Sequence, residues 1–274
     1  MILIVLPVCK EDAQRAELLL DLVYQLEGRK AKGFCVLAFA PDVHPEMRDK
    51  LFISAQLAFE SVDLHHIQKL TAAGSEKRDS ISAMFSECAR FIANSYRAPW
   101  LWLEPDCMPL KAGWRDELSA AYENQPRRYL SRWLKSGEIR FIARVGVYPV
   151  NIIDDMEIAN VSNIPFPASV VSKSTVCDLF QEQVVTTADD VNKVRSNAVL
   201  LHGDKAGVLA DWVRSKMLPV IAGKPDGDWV SFGNEHIGGH AAPEATTCVD
   251  ENADTYFQQP KRRGRKPKSE LVTV

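Results

Sequence analysis

Two carboxylates, Glu104 and Asp106, stand directly behind a short aromatic run. Residues 100–103 (Trp-Leu-Trp-Leu) have the composition and length of a buried strand, and Pro105 and Pro109 oppose helix on either side of Asp106. The carboxyl ends of strands are where open α/β sheets bind ligands, and carboxylate oxygens bind divalent cations. The pair therefore predicts a metal site, and the alternative is a strand end with two solvated acids.

A second apolar run ends on a histidine far downstream. Residues 198–201 (Ala-Val-Leu-Leu) lead into His202, and the cation Lys205 follows three residues later. Imidazole is a common metal ligand, and a lysine ammonium can pair with phosphate. This strand end therefore offers the groups that a metal-bound phosphate compound needs.

Together the two motifs resemble those of metal-dependent glycosyltransferases of the GT-A fold. In that family an Asp-x-Asp motif at a strand end and a later histidine bind a divalent cation that holds the diphosphate of a sugar nucleotide. The resemblance covers roughly the first 220 residues in element order. It implies that Asp106 and His202 are metal ligands, that Glu104 takes the first acid position and that Lys205 faces phosphate. Glu104 departs from the family pattern, because it is one methylene longer than the usual Asp.

The resemblance also implies contacts to the nucleotide. Pro7 and Val8 follow the first predicted strand, where the family cradles the base, although strand termination alone would explain them. Lys77 and Arg78 fall in the first turn of a predicted helix, where ribose or phosphate could bind, or where the charges are simply solvated. Because this helix leads into the strand at residue 100, we expect its amino end at the sheet edge opposite Glu104.

The resemblance implies that the acceptor side is built by the region that follows residues 144–149 and runs through Ser174. Asp154 and Asp155 are candidates for the catalytic base, although clustered acids in a loop are commonly solvated. The preceding residues 144–149 (Arg-Val-Gly-Val-Tyr-Pro) resemble a Gly-Val-x-Val-Tyr-Pro segment of phage-type members of the family.

A basic segment near the end of the chain resembles an AT-hook, whose centre is Arg-Gly-Arg-Pro. A glycine there lets the backbone enter a narrow A·T-rich minor groove while arginines lie along it. Lys266 interrupts the Arg-Pro step, and a nuclear-localisation or generic polyanion-binding tail is the alternative. The candidate DNA-binding residues are Arg262, Arg263, Gly264, Arg265 and Lys266.

Charge is distributed unevenly along the chain. The whole chain carries −3, and residues 261–268 contribute six cations and no acid, so the remainder carries −9. This asymmetry indicates that the tail recruits a polyanion. The six cysteines form no Cys-x-x-Cys pair. No apolar run is long enough to span a bilayer, and none has the pattern of a signal peptide. These features predict a cytoplasmic protein, in the host cytoplasm if the protein is phage-encoded.

Apolar strands alternate with amphipathic helices from the first residues onward. The predicted fold class is α/β, with a GT-A-like Rossmann-type mixed sheet flanked by helices and a disordered basic C-terminal tail. We divide the chain into a catalytic domain at 1–233, a linker at 234–259 and a DNA-binding tail at 260–274.

These features predict a glycosyltransferase that moves a hexose or pentose from a nucleoside diphosphate sugar, such as a UDP-sugar, to a hydroxylated base. A 5-hydroxymethylpyrimidine in phage double-stranded DNA is the predicted acceptor, and Mn²⁺ or Mg²⁺ the cofactor. One alternative is a nucleotidyltransferase or pyrophosphorylase acting on sugar nucleotides, although the Gly-rich loop typical of that class is absent after the first strand. The other is a non-catalytic DNA-tethered module in which Asp106 and His202 are structural.

Overall fold

The computed structural model of the chain describes residues 1–28, 31–68, 77–162 and 166–223. The predicted linker at 234–259 and tail at 260–274, with Arg262, Arg263, Gly264, Arg265 and Lys266, lie outside the described residues. The strands are β1 Leu3–Val8, β2 Ala31–Phe39, β3 Phe59–His66, β4 Trp100–Trp102, β5 Cys107–Pro109, β6 Tyr129–Ser136, β7 Ile139–Tyr148, β8 Ser174–Val176, β9 Phe180–Glu182 and β10 Leu200–His202. The helices are α1 Ala13–Glu27, α2 Pro45–Ala58, α3 Lys77–Ser95, α4 Trp114–Glu123, α5 Ile152–Ser162, α6 Phe166–Ser169, α7 Ala188–Val191 and α8 Val208–Gly223.

Seven strands form one mixed sheet in the order β3-β2-β1-β4-β7-β6-β8. All neighbouring pairs are parallel except those that involve β7, which runs antiparallel to both β4 and β6. The predicted α/β fold with a mixed sheet flanked by helices is confirmed. The strand order reverses between β1 and β4, and this switch point is where open α/β sheets form a crevice for ligands.

The first βα unit shows how the sequence forms these layers. Every residue of β1 is buried, as expected for a central strand covered on both faces, and α1 buries the stripe that contains Leu19 and Val23. Asp12, directly before α1, makes no capping hydrogen bond, because its carboxylate instead accepts from Arg15 (2.9 Å) and Cys9.

Three short strands form a second sheet in the order β5-β10-β9. β10 pairs antiparallel with β5 and parallel with β9. A separate apolar cluster lies under it and joins this sheet to α1 and α8, through residues such as Leu22, Leu201 and Leu209. The small sheet therefore packs against α1 and α8, which fixes the position of its strand ends.

Helix direction corrects the expectation for Lys77 and Arg78. Since β3 and β4 both run parallel to β1, α3 must return antiparallel between them. Its first residue, Lys77, therefore lies at the carboxyl edge of the sheet, the edge on which Glu104 follows β4, and not at the opposite edge. The side chains of Lys77 and Arg78 lie outside the described part of the chain.

No helix among the described residues combines the length and the apolar character that a bilayer crossing requires.

Candidate metal and nucleotide site

A tight turn presents the two carboxylates at the end of β4. The amide of Cys107 donates to the carbonyl of Glu104 (2.9 Å), closing a turn with Pro105 in its second position, where the fixed φ of proline is favourable. The chain then continues into β5, so Glu104 and Asp106 stand between the large and the small sheet. This position is the carboxyl edge predicted from the sequence.

The register of the small sheet delivers the histidine. His202, the last residue of β10, pairs with Cys107 on one side and with Glu182 of β9 on the other. The carbonyl of Asp106 also accepts hydrogen bonds from the amides of Gly203 and Asp204, both 3.1 Å. Strand pairing therefore brings His202 beside Asp106, although the two residues are 96 positions apart.

Three side chains converge at this point. His202 Nε2 lies 3.2 Å from Glu104 Oε2 and 3.2 Å from Asp106 Oδ1. Within the described ranges, Glu104, Asp106 and His202 are the one group whose ligand atoms all lie within 4.8 Å of one another. All three are partly exposed, so a ligand can reach them from solvent.

The other ring nitrogen of His202 is held by Glu182. Nδ1 donates to Glu182 Oε2 at 2.5 Å, which turns Nε2 toward the two acids. Burial alone would lower the pKa of His202, but Glu182, Asp106 and Glu104 together raise that pKa well above its usual value. A carboxylate behind a histidine is the arrangement that fixes the tautomer and ring orientation of metal-binding histidines. Sequence reasoning missed Glu182, since no motif surrounds it.

Glu104 is oriented by two neighbours. Its Oε1 accepts from Trp102 Nε1 (3.0 Å) and pairs with Arg144 Nε (3.2 Å), which leaves Oε2 toward His202. Burial would raise the pKa of Glu104, but Arg144 and His202 lower it to about 2. The carboxylate is therefore ionised, as a metal ligand must be.

Arg144 reaches Glu104 because β7 bulges. Ser131 pairs with Gly146, yet Trp133 pairs with Ile142, so residues 143–145 stand opposite Arg132 alone. The Ser131 hydroxyl lies 2.9 Å from the Ala143 carbonyl and 2.8 Å from that of Val145. A Cβ on Gly146 would lie 2.7 Å from the Cβ of Ser131, so the bulge requires glycine there. Bulges of this kind re-aim side chains beside active sites.

The segment after His202 is also shaped by a glycine. Gly203 has φ +116°, and a Cβ there would lie 2.4 Å from the Gln183 carbonyl. The buried Asp204 then accepts the amides of Leu209 (3.2 Å) and Ala210 (2.9 Å) at the start of α8. These two amides at the amino end of α8 therefore already have a protein acceptor in Asp204.

Lys205 is exposed in the turn between His202 and α8. It forms no ion pair with any described residue. Its ammonium therefore remains available to an anion beside the cluster.

Pro7 and Val8 lie at the carboxyl end of β1, next to the switch point, but their side chains are buried. The Val8 carbonyl accepts the amide of Ala40 (2.9 Å). The contact of a base with Pro7 and Val8 stays a prediction.

Asp154 and Asp155 lie at the wrong edge for catalysis at this cluster. β7 is antiparallel to β4 and its end, Tyr148, pairs with Trp100 at the beginning of β4. The following α5, which contains both acids, therefore starts at the amino edge of the sheet. Asp154 is exposed there, in a helix and not in the predicted loop.

Asp155 is buried and already has partners. Lys173 Nζ donates to it at 2.6 Å, the Tyr129 hydroxyl donates to it, and Arg128 lies 3.5 Å away. Burial would raise the pKa of Asp155, but Lys173, Tyr129 and Arg128 hold it below its usual value. This carboxylate joins β6 to α5 and the segment before β8.

We expect Asp155→Ala to destabilise the fold by about 3 kcal/mol, because it leaves the partners of a buried ion pair uncompensated. Thermal or urea unfolding measures the loss, with exposed Asp154→Ala as the matched control. Because the folded pKa is depressed, the contribution of Asp155 is present above the ordinary aspartate pKa of about 3.9 and is lost as pH falls below it. If Asp155→Ala lost turnover while its free energy of unfolding was unchanged, Asp155 would be a catalytic residue and not a structural one.

Glu182→Gln is expected to weaken Mn²⁺ binding by about 10- to 100-fold, since partners behind metal-binding histidines typically contribute this much. Calorimetric titration of the metal measures it. Glu117→Gln, which removes a partly exposed acid of α4 that pairs with Lys111, is the matched control and should not change the affinity. Equal metal affinity in Glu182→Gln and the wild type would show that Glu182 does not orient His202.

No protein-family model and no curated protein sequence matches this chain. Among solved structures, the chain is similar to the galactosyltransferase LgtC in complex with donor and acceptor sugar analogues, with 8% identity, 81% of this chain and 95% of that chain covered, and a TM-score of 0.49. Mouse xyloside xylosyltransferase 1 is 10% identical over 74% of this chain and 98% of that chain, with a TM-score of 0.47. A mannosyltransferase from Pyrobaculum calidifontis with GDP-Man and Mn²⁺ is 9% identical over 64% and 54%, with a TM-score of 0.44.

Proposed function

We propose that this protein is a metal-dependent glycosyltransferase that uses a nucleoside diphosphate sugar. One observation carries the proposal: Glu104 Oε2, Asp106 Oδ1 and His202 Nε2 converge at the switch point of the sheet. Two carboxylates and an imidazole suit a divalent ion such as Mn²⁺, and Glu182 supports the histidine as metal sites require. A bound cation would supply charge stabilisation for the departing diphosphate.

The residues of the chain have distinct parts in this reaction. Asp106 and His202 would hold the cation with Glu104, whose other oxygen is anchored by Trp102 and Arg144. The anomeric C–O bond to the diphosphate breaks, a bond to the acceptor oxygen forms, and the acceptor hydroxyl proton passes to the departing diphosphate. Lys205, exposed beside the cluster, would stabilise the negative charge on that leaving group.

Lys205→Ala should weaken binding of the nucleoside diphosphate by about 10-fold and leave the nucleoside unaffected, because an ammonium contributes only when phosphate is present. Calorimetry with UDP and uridine compares the two. Lys193→Ala, at an exposed lysine paired with Asp190, is the control. Equal losses for UDP and uridine would mean that the substitution perturbs the fold.

The acceptor we propose is a 5-hydroxymethylpyrimidine in double-stranded phage DNA. The support is the basic sequence at 261–268, whose Arg-Gly-Arg centre resembles an AT-hook and would tether an otherwise acidic chain to DNA. The 5-position of a pyrimidine projects into the major groove, so its hydroxyl is accessible in the duplex, and base flipping would bring it deeper into the site.

A direct assay tests this function. The full chain is incubated with Mn²⁺, a panel of labelled nucleoside diphosphate sugars and hydroxymethylated DNA, and the DNA is digested to nucleosides for mass spectrometry. The proposal predicts a nucleoside heavier by one sugar residue, only with metal and only on hydroxymethylated DNA. Release of pyrophosphate from a sugar phosphate and a nucleoside triphosphate would select the nucleotidyltransferase instead, and metal-independent DNA binding without turnover would select a non-catalytic module.

A further inference from the structure

The hairpin of β6 and β7 extends past its two neighbours in the large sheet, β4 and β8. β4 ends at Trp102, which pairs with Gly146, and β8 pairs with β6 only as far as Val176, opposite Ser131. Residues 132–145 therefore extend beyond the ends of β4 and β8, on the side of the sheet where Glu104 follows β4. Their four paired positions, from Trp133–Ile142 to Ser136–Ile139, give a two-stranded ribbon about 14 Å long.

This ribbon carries a net positive charge, whereas the chain as a whole is acidic. Residues 132–145 contain four cations and one acid, whereas the chain before the tail is acidic. Two of these cations already have partners, since Arg132 pairs with Asp178 (2.5 Å) and Arg144 with Glu104. The other two, Lys135 and Arg140, are exposed and form no ion pair with the described residues.

Lys135 and Arg140 also stand directly opposite each other in the register. Opposed residues of an antiparallel pair share a face, and like charges in that position destabilise the sheet. Trp133 lies on the same face, two residues before Lys135, and the Arg140 guanidinium lies over its ring, 6.0 Å from the centroid. An anion between the two cations would remove the repulsion. At the tip, Ile139 is 51% exposed.

We propose that the β6–β7 ribbon enters the major groove of duplex DNA and positions the acceptor base at the metal cluster. The groove is about 12 Å wide and admits a two-stranded β-ribbon, and it is the groove into which the 5-substituent of a pyrimidine projects. Lys135 and Arg140 contact the phosphates of one groove wall. Arg140 is four positions before Arg144, which touches Glu104, so these contacts lie at most about 13 Å from the cluster along the strand.

The acceptor in this inference rests on the proposed function, but duplex binding by the ribbon is measured separately. The full chain is compared with two double variants, Lys135→Ala/Arg140→Ala on the ribbon and Arg90→Ala/Arg97→Ala as the control. Arg90, on α3, and Arg97, just before β4, are exposed and lie toward the opposite sheet edge. Replacing them removes the same charge as the ribbon variant does. Fluorescence anisotropy of a labelled 20-base-pair duplex gives the affinity between 50 and 300 mM salt.

The ribbon variant should lower the slope of log affinity against log salt by about 1 to 1.8, because each phosphate contact contributes about 0.9. The control variant should keep the wild-type slope. Transfer to duplex DNA should show a raised KM in the ribbon variant only, with donor binding and transfer to a free hydroxymethylated nucleoside unchanged.

Several outcomes overturn the inference. Equal behaviour of the two double variants on duplex DNA removes the ribbon from the interface, even if the wild type transfers sugar. A larger loss on single-stranded DNA or on heparin than on duplex shows a polyanion surface without groove recognition. If the duplex affinities of the two variants differ as expected but no sugar is transferred even by the wild type, the ribbon assignment stands and the glycosyltransferase proposal fails.

Discussion

Asp106→Ala and His202→Ala are each expected to lower metal-dependent turnover by at least about 10³-fold while the protein remains folded. Charge stabilisation by a bound cation is worth several kcal/mol in the transition state, and each 1.36 kcal/mol is tenfold in rate. Both side chains are partly exposed at strand ends, so their removal leaves the buried sheet unchanged. Initial rates at saturating Mn²⁺ measure the loss.

Suitable controls are His44→Ala and Asp116→Ala, which remove an exposed histidine and an exposed acid elsewhere in the fold. Both should retain wild-type rates, and thermal unfolding should be similar in all four variants. Near-normal turnover of Asp106→Ala or His202→Ala would exclude that residue from the metal site.

Truncation after Gln259 is expected to lower duplex DNA affinity by roughly 10²- to 10³-fold at 0.1 M salt. The missing segment carries six cations, which could neutralise at most six phosphates. If two to four of them contact phosphate, the slope of log affinity against log salt should fall by about two to four. Transfer to duplex DNA should fall through a raised KM, while transfer to a free hydroxymethylated nucleoside should be retained.

A charge-preserving variant separates groove recognition from charge alone. Arg263→Lys/Arg265→Lys keeps all six cations but loses the planar guanidinium groups, so the salt slope should be retained and the preference for A·T-rich duplex should weaken. If truncation changes neither affinity, salt slope nor A·T preference, the tail is not the DNA tether.

The sequence was sufficient where local patterns determine structure. The alternation of apolar strands and amphipathic helices predicted the mixed α/β sheet, and the proline-flanked turn predicted that Glu104 and Asp106 stand at a strand end. Strand boundaries carry less local signal: β2 begins at Ala31, and its pairing with β3 is irregular between Ala31 and Phe34. Short strands such as β8 and β9 carry too few residues for a periodic signal.

The sequence was insufficient where long-range pairing determines the site. Glu182 joins His202 only through the register of β9 and β10, and Arg144 reaches Glu104 only through the bulge in β7. Asp155 was a candidate catalytic base because it lies in an acidic segment. The local sequence does not show that the preceding strand, β7, is antiparallel and leads to the opposite edge of the sheet. The antiparallel course of β7 moves Asp155 to the far edge, and its ion pairs with Lys173 and Arg128 explain its presence there.

Calorimetric titration of a nucleoside diphosphate sugar into the wild type and into His202→Ala, each with and without Mn²⁺, shows whether a metal at this cluster holds the sugar nucleotide. We expect Mn²⁺ to increase the affinity of the wild type for at least one sugar nucleotide by at least about 10-fold, as a charge-assisted contact to phosphate would. His202→Ala should bind the same compound equally weakly in both conditions. Equal affinity of the wild type with and without metal for every nucleoside diphosphate sugar, or full metal enhancement in His202→Ala, would rule out a metal-dependent sugar-nucleotide site at this cluster.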